Sequence, residues 1–340
     1  MFYSAPSTYG LSLLDLVNKD FEVPGSLIAN LGSAVIKDES LLILVRENLA
    51  IAEAYGDQRS LKYQLETWPL AHHNQPSNLG IHNRRPLQTH VKAYEDFGPL
   101  QSIDKTCIYL SLRSDEINIY HWIFEVLPRL RCLELMPSLR SIPLLIRKPL
   151  TEFQLKTLEL MGVQNPLLIS DGHSLRMKSL IFPSVSCPSA IHPGVTRWLR
   201  NALIGKLEKL TKKRRLYVSR SDSTRRIINE ELLINRLKPL GFEVLVMTAL
   251  TPMEQIDAFR AAEIVVMPHG AAGAHMIFAP LDCKLIELQS PQHLNSSYLT
   301  LAKGLGQKYG YIFGKKKRNG NYSIEVDQVV SMLERALSHG

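Results

Sequence analysis

The stretch RLYVSRSDSTRRIINEELLINRLKPLGFEVLVMTALTPMEQIDAFRAAEIVVMPHGAAGAHMIFAPLDCKLIEL, Arg215 to Leu288, decides the fold. RLYVSR, FEVLVM, EIVVMP and KLIEL are short apolar runs that read as strands. NEELLINRLKPL and TPMEQIDAFRAA, between them, repeat their apolar residues at helical spacing. Strands alternating with helices predict a parallel sheet. Ligands of such sheets gather beyond the carboxyl ends of the strands. Arg220 closes the first strand, Arg225 and Arg226 lie in the loop after it, and His269-Gly270-Ala271-Ala272-Gly273 follows EIVVMP directly. Cations and a small-residue loop at those junctions suit a diphosphate.

Each of these residues also has a plainer reading. A loop of small residues lets backbone N–H groups approach a phosphate, and a helix after it would offer its positive end. The same loop also makes an ordinary tight turn. It is neither a dinucleotide GxGxxG nor a P-loop, because no GKS or GKT follows. His269 tilts the reading toward function, since a buried turn has little use for an imidazole. Arginine matches phosphate oxygens with two parallel hydrogen bonds. Arg226 is also spaced to pair with Glu230 across one helical turn. Asn229 reads equally as a helix N-cap or a ligand contact, and so does Glu230. Thr251-Pro252-Met253-Glu254 is a capping box with proline at the first helical position, which explains Thr251 and Glu254 locally; Gln255 is left over and could face a nucleotide or serve only the helix. Glu287, near the end of KLIEL, is placed to accept from ribose hydroxyls or to sit at the surface.

Outward from this stretch, the chain divides. With 340 residues it exceeds what one core usually holds. The Pro- and Ser-rich PSVSCPSAIHP, Pro183 to Pro193, is the expected boundary between domains 1–190 and 191–340. Two βα-rich halves on either side predict an α/β protein of two Rossmann-like domains facing a cleft. The first hundred residues are the least readable. LIANLGSAVIKDESLLILVRENLAIAEAY suggests short strands, and His72 to Arg85 suggests a loop. From Lys105 onward, TCIYLSL, IPLLIR, LLIS and LIFP read as strands. Asn118 to Leu135 and TEFQLKTLELMG read as helices. Downstream, helices are expected over Val195–Leu210, Asn295–Leu305 and Val326–Leu337, with a strand at YGYIF.

YHWIFEVLPRL stands out in the first half. His121, Glu125 and Arg129 recur every fourth residue, and Pro128 is expected to kink the helix. A His and a Glu on one face can share a proton and so take one from an attacking hydroxyl. They can equally form a hydrogen bond that only anchors the helix.

Composition narrows the classes. The charged content of 21% and hydrophobic content of 45% are those of an ordinary globular protein. No run of about 18 apolar residues predicts a membrane span, and the start MFYSAPSTYGLSLLDL does not resemble a signal peptide, so a cytoplasmic location is expected. Cys107, Cys132, Cys187 and Cys283 have no CxxC spacing and read as reduced buried thiols. The net charge of +8 favours anionic partners. Its basic runs, TKKRR and GKKKR, lack the interleaved aromatics of a single-strand groove, so no nucleic acid is expected. No D-x-D and no clustered ligands imply a metal, and no cofactor is implied.

The order RRIINEELL, GFEVL, TPMEQIDAFRAAEIVVMPHGAAGAHMIFAP, LIEL, together with YHWIFEVLPRL, resembles glycosyltransferase family 61 over about Ile117 to Leu288. Bacterial members are often labelled capsular polysaccharide biosynthesis proteins. The resemblance implies a GT-B fold and inverting transfer from a nucleotide sugar. The acceptor it implies is a surface or lipid-linked glycan, which makes peripheral contact with the membrane through Lys315 to Arg318 plausible. On the donor side it implies Arg220, Arg226, Asn229, Glu230, Gln255, His269, Gly270 and Glu287. As catalytic base it implies His121 or Glu125, and the reading leans to Glu125, oriented by His121. Where the family's His-Gly-Ala loop usually continues to Asn, this chain has His275. A nucleotide-sugar epimerase on a similar scaffold and a non-enzymatic module for anionic glycan are the competing readings.

Overall fold

The computed structural model describes residues 28–37, 42–45, 49–50, 100–111, 118–184, 193–223, 225–292 and 295–338. Cys187, the expected loop over 72–85 and most of the Pro/Ser-rich boundary lie outside them. The chain splits into two compact units that change over at Pro188/Ser189.

The C-terminal unit is the alternating set the sequence predicts. Its strands are β9 (Arg214–Val218), β10 (Phe242–Leu245), β11 (Ala262–Pro268), β12 (Lys284–Gln289) and β13 (Lys308–Phe313). The order is β10-β9-β11-β12-β13, and every pair is parallel. Ile264, Val265, Val266 and Met267 of the middle strand β11 are all buried, so apolar residues point to both faces. Helices cover them: α2 (Pro193–Ile204), α3 (Glu230–Leu237), α4 (Pro252–Arg260), α5 (Ser297–Leu305) and α6 (Val326–Ser338). Tyr217, Ile264, Ile286 and Ile312 form one face's core with Leu233 and Leu237 of α3 and Met332 and Leu333 of α6. α4 begins with the expected capping box, Thr251 and Glu254 bonding each other's backbone N–H.

Two details depart from the sequence reading. The residues after His269-Gly270 form a 3-10 helix, Ala271–Ile277, and not an α-helix. Beyond β13, the basic run folds into a small hairpin, β14 (Lys315–Lys316) against β15 (Tyr322–Ser323). Lys315 to Arg318 are exposed on it.

The N-terminal unit departs further. Its eight-stranded sheet is mixed. β8 (Ser174–Pro183), β5 (Leu100–Tyr109), β6 (Leu144–Ile146) and β7 (Leu167–Ile169) run parallel. β2 (Ala34–Lys37), β3 (Leu42–Val45) and β4 (Leu49–Ala50) continue the sheet antiparallel, and β1 (Ile28–Asn30) also pairs antiparallel with β8. The unit is therefore α/β, but it is not a purely parallel Rossmann-type sheet. The short connections from β2 to β3 and from β3 to β4 favour antiparallel neighbours, because a parallel crossover needs a dozen residues or more, while β1 and β2 lie one after the other along β8.

The helical run after β5 is irregular. It winds as an α turn (Ile119–His121), a wide π turn (Trp122–Val126), a 3-10 stretch (Leu127–Arg131) and an α turn (Cys132–Leu135). Pro128 has no N–H, and its ring crowds the Phe124 carbonyl, so the regular ladder cannot pass through. The helix adjusts by widening and then tightening. Trp122 anchors it, donating to Thr157 Oγ1 at 2.8 Å on α1 (Glu152–Leu160). Arg129 turns inward, its guanidinium 5.8 Å from the Tyr109 ring centre and 5.2 Å from that of Phe182. Among the described residues no helix is long and apolar enough to cross a membrane.

Candidate functional site

The order of the C-terminal sheet reverses between β9 and β11. β9 connects to β10 on one side, and every later strand is added on the other. In open parallel sheets, ligands bind at this switch point, beyond the carboxyl ends of the two strands. β9 ends two residues before Arg220, and β11 ends one residue before His269. Both predicted residues therefore arrive at the switch point. They also meet, since Arg220 Nη1 donates to the His269 carbonyl oxygen. Arg220 Nη2 donates to Ser223 Oγ at 2.5 Å.

Gly270 is needed for that meeting. Its φ of 176° is extended backbone that any residue adopts. A Cβ there, however, would lie 2.6 Å from Arg220 Nη1. The glycine keeps the guanidinium against the loop's backbone. Burial, and then the nearby Arg225 charge, hold Arg220 below its ordinary pKa. Two crowded cations with partial burial form a place that an added anion would relieve.

Glu287 takes a position the sequence reading did not give it. Its side chain is 0% exposed, so it does not offer itself to ribose hydroxyls. Oε1 lies 2.5 Å from His269 Nδ1, and Oε2 accepts from the Tyr309 hydroxyl at 2.5 Å. Tyr298 donates to the Gly270 carbonyl at 2.5 Å, and its ring centre lies 5.4 Å from that of His269. Tyr217 donates to Glu230 Oε1 at 2.9 Å, and Tyr322 to the Leu288 carbonyl at 2.9 Å. None of these tyrosines was singled out from the sequence. The available signal was a tyrosine inside a buried apolar run, as in YGYIF, whose hydroxyl must find a partner.

The loop after Arg220 is held by the residues expected to bind a ligand. Asn229 does not cap α3. Its Nδ2 donates to the Ile324 carbonyl at 2.8 Å, and its Oδ1 accepts from the Ile324 N–H at 3.0 Å. Glu230 accepts from Tyr217 and from the Arg220 N–H, and does not pair with Arg226. Arg226 is exposed, with Nε on the Ser223 carbonyl at 2.8 Å. Its N–H donates to Asn321 Oδ1, and Tyr322 N–H donates back to its carbonyl, so the basic hairpin is fastened to this loop.

Gln255 is buried and bonded within the protein. Its amide nitrogen donates to the Met247 and Leu250 carbonyls at 3.0 Å each, and its oxygen lies 3.1 Å from His275 Nε2. His275 itself is fully buried, and burial draws its pKa down to about 4. The His275 side chain thus props the loop from below, against Phe259.

In the N-terminal unit, His121 Nδ1 lies 2.7 Å from Glu125 Oε1. The wide turn carries Glu125 inward, to 3% exposure, against 19% for His121. Wide turns of this kind frequently occur at functional sites.

Residues 119–286 match the family model Glycosyltransferase 61. The chain carries a glycosyltransferase family 61 domain. The match takes in His121, Glu125, Arg220, Arg226, Asn229, Glu230, Gln255, His269 and Gly270, and it stops one residue short of Glu287. No curated relative matches the chain.

This glycosyltransferase also has a cavity of about 580 Å³ at the opposite, amino end of its C-terminal sheet, among Ile204, Leu210, Lys213, Ala262 and Leu281. It lies away from Arg220 and His269, and its size alone does not make it the active site. The described cysteines are free and buried. Burial pushes Cys132 up to about 11 and Cys283 to about 12, which suits inert thiols. Among the described residues no three His, Cys, Asp or Glu side chains cluster as a metal site.

Proposed function

We propose that this glycosyltransferase binds a nucleotide-sugar donor at the switch point of its C-terminal unit and transfers the sugar with inversion. The acceptor is a surface or capsular glycan, free or lipid-linked, and the two units follow a GT-B division of labour. The observation that carries the donor assignment is the joining of Arg220 to the His269–Gly270 backbone at the ends of β9 and β11. Arg220 supplies charge-assisted hydrogen bonds to the diphosphate, with Arg226 as a second, exposed cation. His269 adds an imidazole at the same place. These groups stabilise the negative charge that develops on the departing diphosphate. Asn229, Glu230 and Gln255 shape the loops and do not touch the donor. The base comes from the His121–Glu125 pair.

Incubation with a panel of nucleotide sugars, with and without glycan acceptors, tests this reading. Nucleotide release that depends on the acceptor is the expected result. Isomerisation of the donor without acceptor would overturn it. Turnover is expected to survive EDTA, since the chain has cations and no D-x-D for the diphosphate. A loss that Mn²⁺ restores would refute that part.

The hairpin Lys315–Arg318 suits a peripheral contact at the cytoplasmic face of a membrane. Lys315 pairs with Glu325 at 2.6 Å, which leaves Lys316, Lys317 and Arg318 as the principal charges. At roughly 1 kcal/mol per basic residue near an anionic surface, three hold the protein weakly. The protein is expected to sediment with phosphatidylserine vesicles at low salt and not with neutral ones. Equal sedimentation with both would count against the contact.

A further inference from the structure

We propose that Tyr309, acting through Glu287, is a positioning residue for His269 and makes its imidazole meet the donor diphosphate through Nε2. The inference rests on the donor reading above and assigns a role to a tyrosine outside the matched domain. The chain of contacts runs from β13 through β12 to the loop after β11: Tyr309 hydroxyl to Glu287 Oε2 at 2.5 Å, then Glu287 Oε1 to His269 Nδ1 at 2.5 Å. An ionised carboxylate only accepts, so it fixes Nδ1 as a nitrogen that carries hydrogen and sets the ring's orientation. The Glu287 carboxylate has no exposure to water, and each of its oxygens faces one donor. Loss of either donor would leave a buried charge under-bonded.

Tyr309 is suited to be that second donor. Burial, and then the Glu287 charge, hold its hydroxyl well above the ordinary tyrosine range, so it keeps its proton. Two further groups at His269 come from different elements. Arg220, after β9, holds its carbonyl, and Tyr298 of α5 packs on its ring. Diphosphate oxygens also only accept. Contact with them therefore requires hydrogen at Nε2, and the bound ring carries both hydrogens. Its positive charge then sits between Glu287 and the diphosphate. This resembles the carboxylate that orients and charge-balances a catalytic histidine in acyl transfer.

The test uses the full-length protein with histidine side chains labelled in ¹⁵N. The His269→Gln spectrum assigns the His269 signals. In the wild type the His269 pattern is expected to show hydrogen on Nδ1. Glu287→Gln is expected to redistribute hydrogen between the two nitrogens, and Tyr309→Phe to move the pattern in the same direction by less. Both variants keep the shape of the core. Calorimetric titration with UDP, GDP and CDP then reads the donor side. Glu287→Gln is expected to weaken the best binder on the order of tenfold or more, and Tyr309→Phe by a smaller factor. A His269 pattern unchanged in both variants would overturn the positioning role while leaving the donor reading standing. A wild type that binds none of the three nucleotides, with the ¹⁵N pattern as expected, would instead overturn the donor reading and with it the role of Nε2.

Discussion

Glu125→Gln and His121→Ala are each expected to lower turnover by about 10²–10⁴, with nucleotide affinity unchanged. Inverting displacement needs a group that takes the acceptor's proton as the new bond forms. On the proposed reading, the 2.7 Å contact between His121 Nδ1 and Glu125 Oε1 joins a base to the group that orients it. Exposure favours one division of these proposed roles. Glu125 is 3% exposed and His121 19%, so the imidazole is the half that can reach an acceptor hydroxyl and the carboxylate holds it. The sequence reading leaned instead to Glu125 as the base, with His121 orienting it. Gln at 125 keeps the shape and one hydrogen bond but cannot balance an imidazolium, the kind of loss that disables an oriented histidine elsewhere. Thermal melting of both variants separates chemistry from damage to the wide turn, because Trp122 still anchors that turn on Thr157. If both variants turn over at close to the wild-type rate, the pair only fastens the helix and the base lies elsewhere.

The C-terminal unit was legible because its strands are short apolar runs punctuated by capping signals. Thr251-Pro252-Met253-Glu254 fixes the start of α4 by local chemistry alone, and β11 follows from four consecutive buried apolar residues. Local signals of this kind do not carry strand order. The reversal between β9 and β11, where Arg220 and His269 meet, depends on which strands pair, and no residue in the sequence announces it. The side chains that bond within the protein were also hidden. Glu287 read as a strand-end carboxylate open to ribose, because the sequence does not show Tyr309 arriving from β13 to satisfy it. Asn229 read as a cap or a ligand contact because its partner, Ile324, lies 95 residues away. In the N-terminal unit the strands were visible but their direction was not. Pro128 predicted a disturbed helix, and the structure shows what form the disturbance takes.

Arg220→Ala is expected to weaken nucleoside diphosphate binding by about 1–3 kcal/mol, on the order of ten- to a hundredfold, the scale of hydrogen bonds to a charged group. Gly270→Ala is expected to do nearly the same without touching the arginine's chemistry. The new methyl would lie 2.6 Å from Nη1 and 3.0 Å from Cζ of Arg220. Those atoms are the far end of a flexible side chain, so the fold survives while the guanidinium swings off the His269 carbonyl. Arg220→Lys should not restore binding, because an ammonium cannot hold that carbonyl and Ser223 Oγ in one plane while also meeting a diphosphate. The contrast between the two substitutions decides what Gly270 does. If calorimetry finds Arg220→Ala weakened and Gly270→Ala normal, the arginine reaches the donor from another position and the glycine only makes the turn. Normal affinity in both would remove the diphosphate from this end of the sheet altogether.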